Sequence, residues 1–427
     1  MRTNIKRAAS AAVVTAVVLS GLIACSSDSK GDASKVTELT IPTAETPWLN
    51  SYKQMAAEYT KETGVKINLA TFPMDGLLTQ QSQAAQSGSN AFDLFQLNEQ
   101  WVGQFYDNQW VQPLTDVDPD FTWDKGLIEF DGVGRWDAKA RTTTDDGAPY
   151  SLPINGNIQL FMYRTDLYDQ LGLSVPLDWD GVVSNGKAAK QAGVVPDGYV
   201  ARGKTPTYDF SALLFSNGGQ WFTDEKDGDW KPAINTKEFR AALQQFKALA
   251  DIGPAAPQTI AQAEATTLMQ GGSVLNATFV AAVAAALGNP GASSVAGKIG
   301  YAELPGKTPV SGVWTLGIPT GLPADRAQAA YKFMTWLTGK DAMQKWADLG
   351  GVITRTDLTS DRPDLKAIVD SADDIHGGLR YTFTPAMLAV TDPTIGQYLA
   401  GQISLDDAIS TMQSGVTDVV TKAGFLK

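Results

Sequence analysis

One cysteine and one histidine in 427 residues narrow the chemistry before any pattern is sought. Cys25 alone cannot close an internal disulfide, and His376 alone cannot join other imidazoles around a metal. Asp373, Asp374 and His376 are near enough in sequence to bind a cation, but a solvated acidic turn accounts for them more simply. The hydrolase signatures Gly-x-Ser-x-Gly and His-Glu-x-x-His are both missing. Positive charge is short as well: 34 Lys and Arg against 46 Asp and Glu leave a formal charge of −12, which argues against a nucleic-acid partner. With 43% hydrophobic and 19% charged residues the chain is an ordinary globular protein, neither disordered nor integral to a membrane. Single cores stop growing at roughly 250 to 300 residues, so two domains are expected.

What is present begins with a secretion signal over residues 1–24. Arg2, Lys6 and Arg7 supply the positive region, an apolar stretch follows from Ala8 to Ile23, and Ala24 is the small residue before cleavage. Leu22-Ile23-Ala24-Cys25 resembles the bacterial lipobox, which implies a lipid on Cys25 as the membrane attachment. Residues 25–35 are small and polar and read as a flexible tether. Losing the signal removes three positive charges and no negative ones, so −12 becomes −15.

From Val36 the pattern alternates strand and helix. Leu39 and Ile41 mark a strand, Tyr52, Met55, Ala56 and Tyr59 fall at helical spacing, and Val65, Ile67 and Leu69 make a second strand. This βαβ opening predicts a parallel pair with ligand-binding loops at the carboxyl ends. The apolar run Phe92-Asp93-Leu94-Phe95-Gln96-Leu97 reads as a third strand. It leads into Asn98-Glu99-Gln100-Trp101, read either as a binding loop or as a helix start capped by Asn98. Residues 115–148 look irregular. Phe239, Ala242, Leu243, Phe246 and Leu249 define an amphipathic helix capped by Asn235 or Thr236. A strand at 273–275 is expected to end before Asn276-Ala277-Thr278-Phe279, and residues beyond 357 are expected to be mostly helical. The turn Asn155-Gly156-Asn157 tolerates unusual backbone angles and exposes amides, which suits a passage between two bodies. Similar passages are expected near Ser311 and Val352.

Several segments together resemble the extracellular solute-binding proteins of carbohydrate ABC importers, the family of maltose-binding protein. They include Lys61-Glu62-Thr63-Gly64-Val65, Leu152-Pro153-Ile154, Tyr163-Arg164-Thr165-Asp166-Leu167, Asn217-Gly218-Gly219, Gly312-Val313-Trp314-Thr315-Leu316 and Gly350-Gly351-Val352. The resemblance implies an α/β, two-lobed periplasmic-binding-protein-like fold of type II, with three hinge crossings and a ligand cleft between the lobes. Lobe I then holds residues 36–154 and 313–352, and lobe II residues 155–312 and 353–427. It further implies a sugar or polyol ligand, ABC permease subunits as partners, a monomer, no cofactor, and a place on the outer face of the cytoplasmic membrane.

The same resemblance assigns site residues. Trp314 replaces the tryptophan of a Gly-Gly-Trp motif, with Val313 where the second glycine is usual. Asn98 and Asn157 stand where relatives carry carboxylates, so hydroxyl recognition is kept while charge is removed. Trp48 follows the first strand and is read as a ligand contact or as packing across the first helix. Gln100, Arg355, Tyr208, Asp209, Phe279 and Tyr381 complete the expected set. Rival readings are a sensor or adhesion lipoprotein of the same fold, a secreted carbohydrate-active enzyme with two carboxylates, and a polyamine binder.

Overall fold

The strand Glu38–Ala44 pairs in parallel with Lys66–Phe72, and the helix Leu49–Thr63 crosses between them. The helix buries Tyr52, Met55, Ala56 and Tyr59, the face that its spacing marks as apolar. The computed structural model describes residues 36–426, so the signal, Cys25 and the tether lie outside the described residues. Next to the parallel pair stands an antiparallel sheet with Trp314–Gly317 between Phe95–Asn98 and Ser151–Asn155. Asp93 fastens the two together. Its backbone N–H donates to the Thr40 carbonyl at 2.8 Å, and its carboxylate accepts from the Thr40 N–H at 2.7 Å and from Arg326 at 2.6 Å.

A second sheet runs in the order Ile299–Ala302, Gln159–Arg164, Val274–Val280, Asp197–Tyr199. Its first pairs are antiparallel and its last is parallel. Strand alternation divides its apolar side chains: Leu160 and Met162 join one hydrophobic cluster, and Phe161 joins the other. Asn276, Thr278 and Phe279 lie within the strand, not after it as expected. Their polar groups reach tyrosine hydroxyls inside the fold, Asn276 to Tyr168 at 3.3 Å and Thr278 to Tyr199 at 3.0 Å. Buried polar side chains that find partners do not break a strand.

The helix Lys237–Asp251 is capped by Thr236, whose hydroxyl accepts from the Phe239 N–H at 3.3 Å. Helices Pro363–Asp370, Thr384–Leu399 and Leu405–Lys422 make up most of the carboxyl-terminal part. The irregular stretch holds the short helix Leu114–Val117 and the two-residue pair Arg135–Trp136 and Ala148–Pro149.

The chain leaves the first sheet at Asn155 and enters the second at Gln159. Two other segments lie against this turn. Gly156 N–H donates to the Val352 carbonyl, and the Gly312 N–H donates to the Asn157 carbonyl at 2.8 Å. A Cβ at position 156 would sit 2.0 Å from the Ile353 carbonyl oxygen, so only glycine permits this approach. Thr354 and Arg355 remain beside Ile128 and Leu127, whereas the helix Pro363–Asp370 buries Leu365 and Ile368, and Tyr301 of the second sheet packs on the same apolar cluster.

Candidate functional site

A cavity of about 630 Å³ opens beside the turn that joins the two sheets, lined from strands, helices and loops. From the first side come Trp48, Asn98, Gln100 and Trp314; from the second come Asn157, Arg202, Tyr208 and Asp392. Trp314 opens the central strand opposite Asn98, and the pairing with the neighbouring strand slips between Trp314 and Thr315. Such a bulge re-aims a side chain at the edge of a sheet. Val313 is buried and keeps a negative φ, so a glycine is not needed there.

The Trp314 indole is only 5% exposed. It packs edge-on against Trp48 at 5.9 Å and against Trp101 at 5.6 Å, and Trp48 in turn meets Trp346 at 5.5 Å. Edge-to-face contacts of this kind are a geometry aromatic pairs prefer. Trp48 therefore both packs over the first helix and lines the cavity. Asn98 likewise does both things expected of it: its side chain caps the helix Glu99–Asp107 by accepting from the Gln100 N–H at 3.1 Å, and it stands on the cavity wall.

Asn157 is fixed by its side-chain oxygen, which accepts from the Ala282 N–H at 3.0 Å. Its amide N–H₂ then remains as a donor on the wall. The Tyr208 hydroxyl donates to the Val310 carbonyl at 2.9 Å, and burial, with Glu99 nearby, pushes its phenol well above the usual range. Arg202 forms a buried ion pair with Asp209 and donates to Gln262 at 2.8 Å. Asp392 accepts from the Thr207 N–H at 3.0 Å, and burial raises its carboxyl above the ordinary value.

Glu99 forms part of the cavity floor and is 1% exposed. Its carboxylate accepts from the Ser311 hydroxyl at 2.6 Å, the Val313 N–H at 2.8 Å, the Gly378 N–H at 2.7 Å and the Arg380 guanidinium at 2.6 Å. A buried charge survives only when paired and fully hydrogen-bonded, and this one is. Arg380 comes close because Gly103, on the facing helix, has no Cβ; one there would stand 1.9 Å from the Arg380 carbonyl oxygen.

Six expected residues line the cavity: Trp48, Asn98, Gln100, Asn157, Tyr208 and Trp314. The other four lie elsewhere. Asp209 sits behind Arg202 as its counter-ion, and Phe279 is fully buried in the core. Tyr381 donates to Glu225 inside a cluster with Phe222, Trp230 and Phe383. Arg355 is clamped by Asp124 and Asp357 and donates to the Thr338 carbonyl. Sequence reasoning missed Glu99 as an individual residue, Arg202 and Asp392; only the polar setting of Asn98-Glu99-Gln100 gave any signal.

The wall holds flat indoles and directed hydrogen-bonding groups. Among the described residues no three or more His, Cys, Asp or Glu side chains gather to hold a metal. His376 stacks on Phe215 at 4.8 Å instead.

The sequence family of bacterial extracellular solute-binding proteins matches residues 44–344. The erythritol/L-threitol-binding protein of Mycolicibacterium smegmatis is 22% identical over 394 residues, covering 83% of this chain and 79% of that protein. A ribitol-bound ABC transporter solute-binding protein from Agrobacterium radiobacter K84 superposes with a TM-score of 0.72 at 20% identity, covering 90% of this chain and 98% of that one. Maltose-bound MalE3 of T. maritima gives a TM-score of 0.74 at 20% identity, covering 89% and 99%. These structures share the α/β fold of periplasmic solute-binding proteins, and the relatives are binding proteins of transporters, not enzymes. The chain belongs to the bacterial extracellular solute-binding proteins.

Proposed function

We propose that this protein binds a neutral polyol or sugar in the cavity, closes over it, and delivers it to ABC permease subunits while held to the membrane by a lipid on Cys25. The two sheets would mark the two lobes, residues 36–154 with 313–355 and residues 155–312 with the carboxyl-terminal part. The third passage would then fall after Arg355. A monomer suffices for this cycle.

The observation that carries the reading is the facing of indoles and amides across one cavity: Trp48 and Trp314 on one side, Asn157 on the other. A sugar or polyol offers an apolar C–H surface to an aromatic face and adjacent hydroxyls to directed donors and acceptors. The names of similar proteins point the same way, to erythritol, ribitol and maltose.

Thermal unfolding with erythritol, ribitol, maltose and spermidine tests it. A ligand that binds only the folded state adds about 2.7 kcal/mol at a hundredfold excess over Kd. Stabilisation by at least one of the first three is expected. No shift with any of them at millimolar concentration, or a shift with spermidine alone, would reject the proposal.

A further inference from the structure

The helix Thr384–Leu399 carries Pro393 in its interior. A proline there removes a donor from the helical ladder and crowds the preceding turn, a defect that costs about 3 kcal/mol. The residue just before it, Asp392, stands on the cavity wall. The defect therefore lies at the turn that presents a carboxylate to the ligand space.

That turn is fastened to the start of the helix Thr207–Ser216. Asp392 accepts from the Thr207 N–H at 3.0 Å, and the Thr391 and Thr207 hydroxyls bond at 2.7 Å. The same first turn holds Asp209, the partner of Arg202. Arg202 and Asp392 thus reach the cavity from one anchored patch. Their charges are handled differently. Glu99 is neutralised by Arg380 and Arg202 by Asp209, whereas Asp392 pairs with no cation among the described residues. A carboxylate offers about four acceptor positions, and Thr207 takes two of them, one with its backbone N–H and one with its side chain. Of the five N–H groups of a guanidinium, Arg202 uses three, on Asp209 and Gln262.

We propose that Asp392 anchors the ligand, accepting hydrogen bonds from neighbouring hydroxyls at one end of a polyol or sugar while Arg202 donates its remaining N–H groups to the same end. This rests on the reading of the cavity as a polyol or sugar site. An acceptor and a donor tied to the same helix turn and both lining the cavity suit a vicinal diol, whose hydroxyls both give and receive. An ammonium group is disfavoured at this patch because Arg202 shares it. Pro393 leaves the helix one N–H donor short at the turn that presents the carboxylate.

Asp392→Asn is nearly isosteric and keeps an oxygen for the Thr207 N–H, so the ligand-free melting temperature is expected to stay within about 2 °C of the parent. By calorimetric titration, affinity for whichever of erythritol, ribitol and maltose binds the parent is expected to fall about 10- to 100-fold, the loss typical of hydrogen bonds to a charged group. Pro393→Ala, which restores the ladder, is expected to raise the ligand-free melting temperature and weaken binding. Parent-like affinity in Asp392→Asn overturns the inference. So does a fall in affinity matched by a fall in ligand-free stability, which would mark Asp392 as structural only. A parent protein that binds none of the three compounds instead removes the reading beneath it.

Discussion

Trp314 both packs against other indoles and lines the cavity. Its position opposite Asn98 and next to a register slip carries the indole to the cavity, while Trp48 and Trp101 pack against it in T-shaped contacts. In sequence these are alternatives: a ring in the site or a ring in the core. The structure gives both. Trp314→Ala is therefore expected to abolish ligand-induced stabilisation and also to destabilise the ligand-free protein by about 3 to 5 kcal/mol, as large-to-small core changes do. Urea unfolding with and without ligand measures the two effects separately. A variant that loses stability but keeps the full ligand shift would take the indole out of recognition. Glu99 teaches the converse lesson. In sequence it is one polar residue of a loop; in space its partner is Arg380, 281 positions away.

At the scale of elements, the segment after Gly350-Gly351 is tied down by Arg355. This guanidinium joins Asp124 in the irregular stretch, Asp357 in its own loop and the carbonyl of Thr338 at a helix end. The hydrogen bonds from Arg355 hold both Asp124 and Asp357 below the usual carboxylate range. A carboxyl whose folded pKa is depressed adds stability that is complete above its unfolded value, about 3.9, and is lost as pH falls through the folded value. Both carboxylates are partly exposed, so solvent screens the effect. The melting temperature is expected to drop as pH falls from about 5 to 3, and Arg355→Met is expected to reduce that drop. Parallel melting curves for parent and variant across that range would show that Arg355 does not act this way. Proximity to a passage suggested the cleft for Arg355; two carboxylates within reach of its side chain decided otherwise.

For the whole molecule, the proposed cycle requires the lobes to approach when ligand binds. Small-angle scattering is expected to show a smaller radius of gyration at saturating ligand, in the manner of hinge closure around a solute. An unchanged radius with bound ligand would reject closure. The segments near Asn155, Ser311 and Val352 lie side by side, and the buried Glu99–Arg380 pair lies beneath them. Motion about the first two passages would thus turn on a small set of backbone hydrogen bonds next to the cavity floor.

Six of the cavity residues were pointed to by the resemblance to solute-binding proteins, whereas local sequence was enough for the βαβ opening, the amphipathic helices and the α/β class. Those depend on periodicity, capping and motifs, which neighbours in the chain specify. That Asn276 to Phe279 continue a strand came only from the folded arrangement, in which distant tyrosines bond the Asn276 amide N–H₂ and the Thr278 hydroxyl. The same arrangement placed Arg202 and Asp392 on the wall and drew Arg355 and Tyr381 away to acidic partners. Charge pairing across long sequence distances settles which polar side chains are spent inside the fold and which remain for a ligand. Arg202–Asp209 and Arg355–Asp357 are local pairs, but Glu99–Arg380, Arg355–Asp124 and Tyr381–Glu225 are written in no single stretch of the chain.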